Sequence, residues 1–105
     1  MTDYTTEDVF KILNNIRNNP YGVKDSKHMM GRINKRDLDA NEIIKKVYQE
    51  IPVGVQKSYN TSNKFELIYE FSTKEDLYVI INIDNFEEIT IVTCITKNIS
   101  KREHD

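Results

Sequence analysis

Apolar positions recur along this chain with two different periods, and the change from one to the other divides it in half. Val9, Ile12, Leu13 and Ile16 fall at i, i+3, i+4 and i+7, one stripe on one face of a helix. Phe10 stands beside that stripe. The pattern predicts a helix from about Thr6 to Asn18, with Thr5 as cap and Asp8 reaching back to it in a capping box. Asn18-Asn19-Pro20 ends it, because a residue before proline is pushed out of the α region. Tyr21-Gly22 continues the turn. A short second helix is expected to start at Ser26 and cover Lys27 to about Ile33, with Met29, Met30 and Ile33 toward the core. Gly31 costs it about 1 kcal/mol relative to alanine. The third helix is expected from Ala40 to Glu50. Asp39 is its N-cap, Glu42 stands where a capping residue reaches back, and Ile43, Ile44, Val47 and Ile51 form its stripe. Pro52 terminates it.

From there the period becomes two. Pro52 to Asn63 reads as polar loop, with Gly54-Val55-Gln56 able to pair briefly. Phe65, Leu67, Tyr69 and Phe71 alternate with Glu66, Ile68 and Glu70. Ser72 to Asp76 is a turn. Leu77 to Asp84 is almost wholly apolar, the signature of a central strand buried on both faces. Asn85-Phe86-Glu87 is the next turn, and Ile89 to Thr96 is a β-branched strand. Such short connections imply an antiparallel meander. The expected fold is α+β: N-terminal helices packed on a three- to four-stranded antiparallel β-sheet. Glu66, Glu70, Asn82 and Asp84 then lie on the sheet face turned away from the helices. Asn98 to Asp105 is a charged end.

Composition narrows the class. At 105 residues the chain is sized for one domain. With 38% hydrophobic residues, three Gly and two Pro it is too apolar for intrinsic disorder. Its formal charge of −2 supplies no global field for nucleic acid, so any such role rests on a local patch. Cys94 is the only cysteine, which suits a reducing compartment. MTDYTTEDVF lacks the basic and apolar regions of a signal peptide, and no apolar run approaches the roughly 18 residues of a membrane span. The expected localisation is cytoplasmic, with no membrane partner.

The candidate chemistry is concentrated early. Lys24, Lys27, His28, Arg32, Lys35 and Arg36 face one acid, Asp25, within thirteen positions. His28 and Arg32 are four apart, on one side of the expected second helix. RNA cleavage by 2′-hydroxyl attack needs a proton acceptor, a proton donor and a cation for phosphorane charge. An imidazole suits the first two roles and a guanidinium the third. The same pair can equally brace the helix, with Arg32 bridging to Glu66 or Glu70. Lys97, Lys101, Arg102 and His104 form a second basic group, which is either the far side of a groove or a solvated tail. Tyr59, Tyr69 and Tyr78 can stack bases or pack across strands. Cys94 reads as a structural cysteine inside an apolar strand. Two histidines and one cysteine leave no pair at metal-ligand spacing, and no Gly-rich phosphate loop is present. The expectation is no metal and no cofactor.

Ser26-Lys27-His28-Met29-Met30-Gly31-Arg32-Ile33 resembles the opening of small proteins of the RelE/BrnT-like toxin superfamily, those of undefined function whose helix carries His-x-x-x-Arg. Leu38-Asp39, Ile43 to Val47, the strands Leu67 to Phe71, Leu77 to Ile83 and Ile89 to Ile95, and the basic close Thr96 to His104 follow in matching order. The resemblance spans about Ser26 to His104. It implies an antiparallel sheet on two helices and a metal-independent endoribonuclease neutralised by an antitoxin. Carried over by position, His28 and Arg32 are catalytic, and Lys27, Lys97 and Arg102 grip RNA. The chain differs from the typical member in being acidic overall and in lacking a dense Arg/Lys run on its strands. The competing expectation is a non-catalytic protein-interaction module of the same fold, meeting its partner through a sheet edge or through acidic residues.

Overall fold

The computed structural model describes residues 4–19, 21–25, 40–58 and 63–98. The expected second helix, His28, Arg32, Lys27, Arg102, Asp39 and Tyr59 lie outside the described residues.

Helix α1 spans Thr6–Ile16. Its start follows the sequence closely: the Asp8 amide donates to Thr5 Oγ1 at 3.1 Å, and the Thr5 amide donates to Asp8 Oδ2 at 2.9 Å. It stops two residues before the expected Asn18. The Asn18 and Asn19 amides bond back only three residues, to the Asn15 and Ile16 carbonyls. Val9, Ile12, Leu13 and Ile16 are all buried, as the stripe requires. Helix α2 spans Ala40–Gln49. It buries Ile43 and Val47, while Ile44 and Tyr48 pack at the margin of the core.

Among the described residues the sheet has five strands: β1 Val23–Asp25, β2 Gly54–Lys57, β3 Lys64–Glu70, β4 Glu75–Asn85 and β5 Glu88–Asn98. Their order is β1-β5-β4-β3-β2. Strands β2 to β5 form the antiparallel meander; β1 pairs parallel to β5, Val23 opposite Ile89, and makes the sheet mixed. The fold is therefore α+β, with one more strand and one more pairing type than a three- to four-stranded antiparallel sheet. Three residues are too few for a period-two signal. Strand β1 exists because long-range bonds hold its start: Ile89 donates to the Gly22 carbonyl at 2.8 Å, and the Val23 amide donates to Tyr48 Oη at 3.3 Å. Tyr48 in turn donates to the Asn19 carbonyl at 3.1 Å. Asn15 and Asn19 side chains donate to the Phe86 and Glu87 carbonyls, so the end of α1 is sewn to the β4–β5 turn.

One sheet face packs on the helices through Phe65, Leu67, Tyr69, Leu77, Val79, Ile81, Ile83, Ile89, Ile91 and Cys94. Strand β4 lies centrally and is apolar for that reason. In β5 the pairing slips, with Ile80 opposite Thr93 but Ile81 opposite Ile91, so Val92 is an extra residue. This bulge puts Cys94 on the same face as Ile89 and Ile91, where it is fully buried.

Two apolar residues expected in the core are outside it. Ile51 is 66% exposed, because α2 ends at Gln49 and the chain turns to join β3, Val53 donating to the Ile68 carbonyl at 2.7 Å. Phe71 is 47% exposed, because β3 ends at Glu70 and the Phe71 amide already bonds across the turn to Glu75.

Candidate functional site

Of the five residues assigned from sequence to catalysis or RNA contact, Lys97 is the described one. It stands near the end of β5 on the sheet face turned away from the helices. Its ammonium lies 4.4 Å from the centroid of the Tyr78 ring. Across the ladder its partner is Asp76, which is fully buried. Lys24, at the start of the basic stretch, sits on the same face of β1. Its Nζ is 3.4 Å from Asp84 Oδ2, which also accepts the Thr90 hydroxyl at 2.8 Å.

This polar face carries Glu66, Glu70, Asp76 and Asp84 against Lys24, Lys64 and Lys97 among the described residues. Two of the three lysines are engaged. Tyr78 is 3% exposed and packs opposite Ile68 and Ile95. Tyr69 lies on the helix-facing side and is 1% exposed. Neither ring is open for a base to stack on.

A second surface has a different character. Phe10, Leu13, Asn14 and Arg17 from α1 face Ile51 and Pro52 across a cleft of about 180 Å³. Phe10 is 43% exposed. It follows Val9 by one residue, so about 100° of helical turn carries it off the buried stripe. Val53 is 52% exposed and opens onto a second cleft, of about 450 Å³, lined by Gly54, Val55, Gln56 and Ile68 of β2 and β3. Phe10, Leu13, Ile51 and Pro52 make the first cleft an apolar strip between α1 and the segment leading into β2, while the second cleft carries Gln56 and lies against Ile68, on the sheet face turned away from the helices. The sequence pattern places Ile51 on the apolar stripe of the helix before it and Val53 in the polar loop from Pro52 to Asn63. The available signal was the proline at 52, which breaks helical phase just where Ile51 would have to keep it.

Between this strip and the core lies Tyr69. Its hydroxyl is buried and makes no hydrogen bond. Burial pushes its pKa up from the ordinary tyrosine value of about 10, the charge of Glu50 adds to the rise, and Arg17 opposes it. A folded state that holds this proton more tightly than the unfolded chain keeps its advantage below about pH 10 and loses it as pH rises further. Tyr69→Phe should therefore raise stability by about 1 kcal/mol at neutral pH, since it removes an unsatisfied buried hydroxyl. It should also flatten the fall in melting temperature above pH 10. A loss of stability in Tyr69→Phe would mean that the hydroxyl is satisfied in solution.

Among the described residues no group of three His, Cys, Asp or Glu side chains is placed to hold a metal, and no helix is long and apolar enough to cross a membrane. Compared with known protein families, the model of the MJ0788 family fits residues 7–81, from the first turn of α1 into β4. No curated protein and no solved structure matches the chain.

Proposed function

The chain belongs to the MJ0788 family, and within that frame we propose that it is a non-catalytic protein-interaction module that docks a partner on its apolar strip. The observation that carries this reading is the apolar cleft between α1 and the segment after α2, where Phe10 and Ile51 are exposed beside Leu13 and Pro52. Contiguous exposed apolar surface beside a terminal strand marks contact sites for other proteins. The polar sheet face supports the same choice from the other side. Its described charges are mixed rather than basic, and Lys97 and Lys24 are held by Tyr78 and Asp84.

A second reading keeps one specific observation. Strands β1 and β5 are parallel, so β1 delivers the chain at Asp25 in the direction along which β5 continues to Lys97. Asp25 is opposite Ile91, and six strand residues span about 20 Å. Lys24 and Asp25, which open the basic stretch in sequence, therefore lie on the strand beside β5, about 20 Å of strand from Lys97. On the resemblance to RelE/BrnT-like toxins, the end of the sheet that bears Lys97 would be a metal-independent endoribonuclease site. His28 would exchange the proton, Arg32 would stabilise phosphorane charge, and Lys27, Lys97 and Arg102 would hold the RNA backbone.

The two readings separate on paired variants. Partner capture from cell extract should be lost in Ile51→Asp, with melting temperature unchanged, and should be unaffected in His28→Ala. RNA cleavage by the purified protein that disappears in His28→Ala, together with growth arrest on expression that the same change relieves, would establish the nuclease and reject the docking module.

A further inference from the structure

The cleft at the end of α1 has a chemistry specific enough to define what enters it. Its apolar lining is Phe10, Leu13, Ile51 and Pro52, and its volume of about 180 Å³ compares with the roughly 150 Å³ that accepts a benzene ring in an apolar cavity. One bulky side chain fits. The polar members are Asn14 and Arg17, both exposed and both on α1. Arg17 makes no ion pair among the described residues, whose pairs are Lys24–Asp84 and Lys46–Glu50. The carboxylate beside Ile51, Glu50, is held by Lys46 at 3.1 Å. A guanidinium is a donor only, with no acceptor to offer, and its planar fork suits a carboxylate. The last carbonyls of α1 carry about half a negative charge, less than the full positive charge beside them.

We propose that this cleft takes a peptide segment of a partner protein in which a bulky apolar side chain is followed by an acidic residue. The apolar side chain lies between Phe10 and Ile51, and the carboxylate pairs with Arg17. The Asn14 amide is free to donate to a carbonyl of the segment. The inference rests on the docking reading above and adds to it the chemistry of the partner. RNA is disfavoured because the cleft supplies one cation, Arg17, and no basic groove to track successive phosphates.

Fluorescence polarisation with the full chain tests it. The probes are a labelled Gly-Leu-Phe-Glu-Glu-Gly peptide, its twin with Gln for Glu, its twin with Lys for Glu, and a labelled single-stranded RNA. The acidic peptide should bind about fivefold more tightly than the Gln twin, the upper end for an exposed ion pair. Arg17→Gln should erase that difference, and Arg17→Glu should make the Lys twin the tighter ligand. Melting curves check that both variants fold. Equal binding of the acidic and Gln peptides overturns the acidic preference and leaves docking intact. Binding of the RNA in place of the peptides overturns the assignment of the cleft. Failure of all probes to bind also overturns it, while the Ile51→Asp comparison, which does not involve Arg17, still decides the docking reading by itself.

Discussion

Phe65→Ala should remove a large share of the protein's stability, the largest loss expected of any single substitution considered. Phe65 is fully buried on β3, opposite Ile81 on one side and Lys57 on the other, and belongs to the single cluster that joins both helices to the sheet. Emptying such a site costs about 3–5 kcal/mol, the transfer of the ring plus the cavity it leaves. A domain of this size has roughly 5–15 kcal/mol in total. Urea unfolding should show the midpoint falling steeply with the slope retained, and Phe65→Leu should recover most of the loss. A change under about 1 kcal/mol in the alanine variant would mean that the cluster is not packed around this ring.

Gly22→Ala should cost about 1–3 kcal/mol and act on one corner of the sheet. A Cβ at Gly22 would lie 2.8 Å from the Glu87 carbonyl oxygen and 3.1 Å from Ile16 Cγ1. The first contact is backbone and cannot rotate away. The same carbonyl accepts Asn19 Nδ2, and the Gly22 carbonyl accepts the Ile89 amide, so a shift here disturbs both bonds at once. Hydrogen exchange should therefore accelerate at Ile89 while amides of β3 keep their protection. Exchange at Ile89 unchanged from wild type would show that β1 adjusts without leaving β5.

The strip that we assign to docking was only partly legible beforehand. Phe10 was visibly off the helical stripe, which marks it as exposed on geometry alone. Ile51 was assigned to the stripe because its spacing from Val47 fits, and spacing contains no information on where a helix actually lets go. The β2 strand was readable as a short pairing segment at Gly54-Val55-Gln56, but not its place at the end of the sheet, which depends on the order of all five strands. Lys97 enters the candidate set by its position in the RelE/BrnT-like resemblance and as part of the C-terminal basic group. That it lies over Tyr78 and opposite Asp76 follows from the β4–β5 register, which no run of β5 residues specifies alone.

What the sequence determined by itself is local. The Thr5–Asp8 cap, the α1 stripe, the burial of Ile43 and Val47, and the alternation of Phe65, Leu67 and Tyr69 all depend on neighbours within a turn or two of chain. Their physics is backbone capping and the period of side-chain direction, and both are written in consecutive residues. What only the tertiary structure decided involves partners far along the chain. Strand β1 needs Ile89 and Tyr48 to hold it. Cys94 reaches the core only because a bulge at Val92 reverses the alternation of β5 against β4. Ile51 stays outside because α2 stops where a long-range hydrogen bond, Val53 to Ile68, becomes available, whereas Phe71 is left out by the local β3–β4 turn. Those long-range bonds form only after chain segments distant in sequence have been brought together, and their free energy then overrides the local pattern.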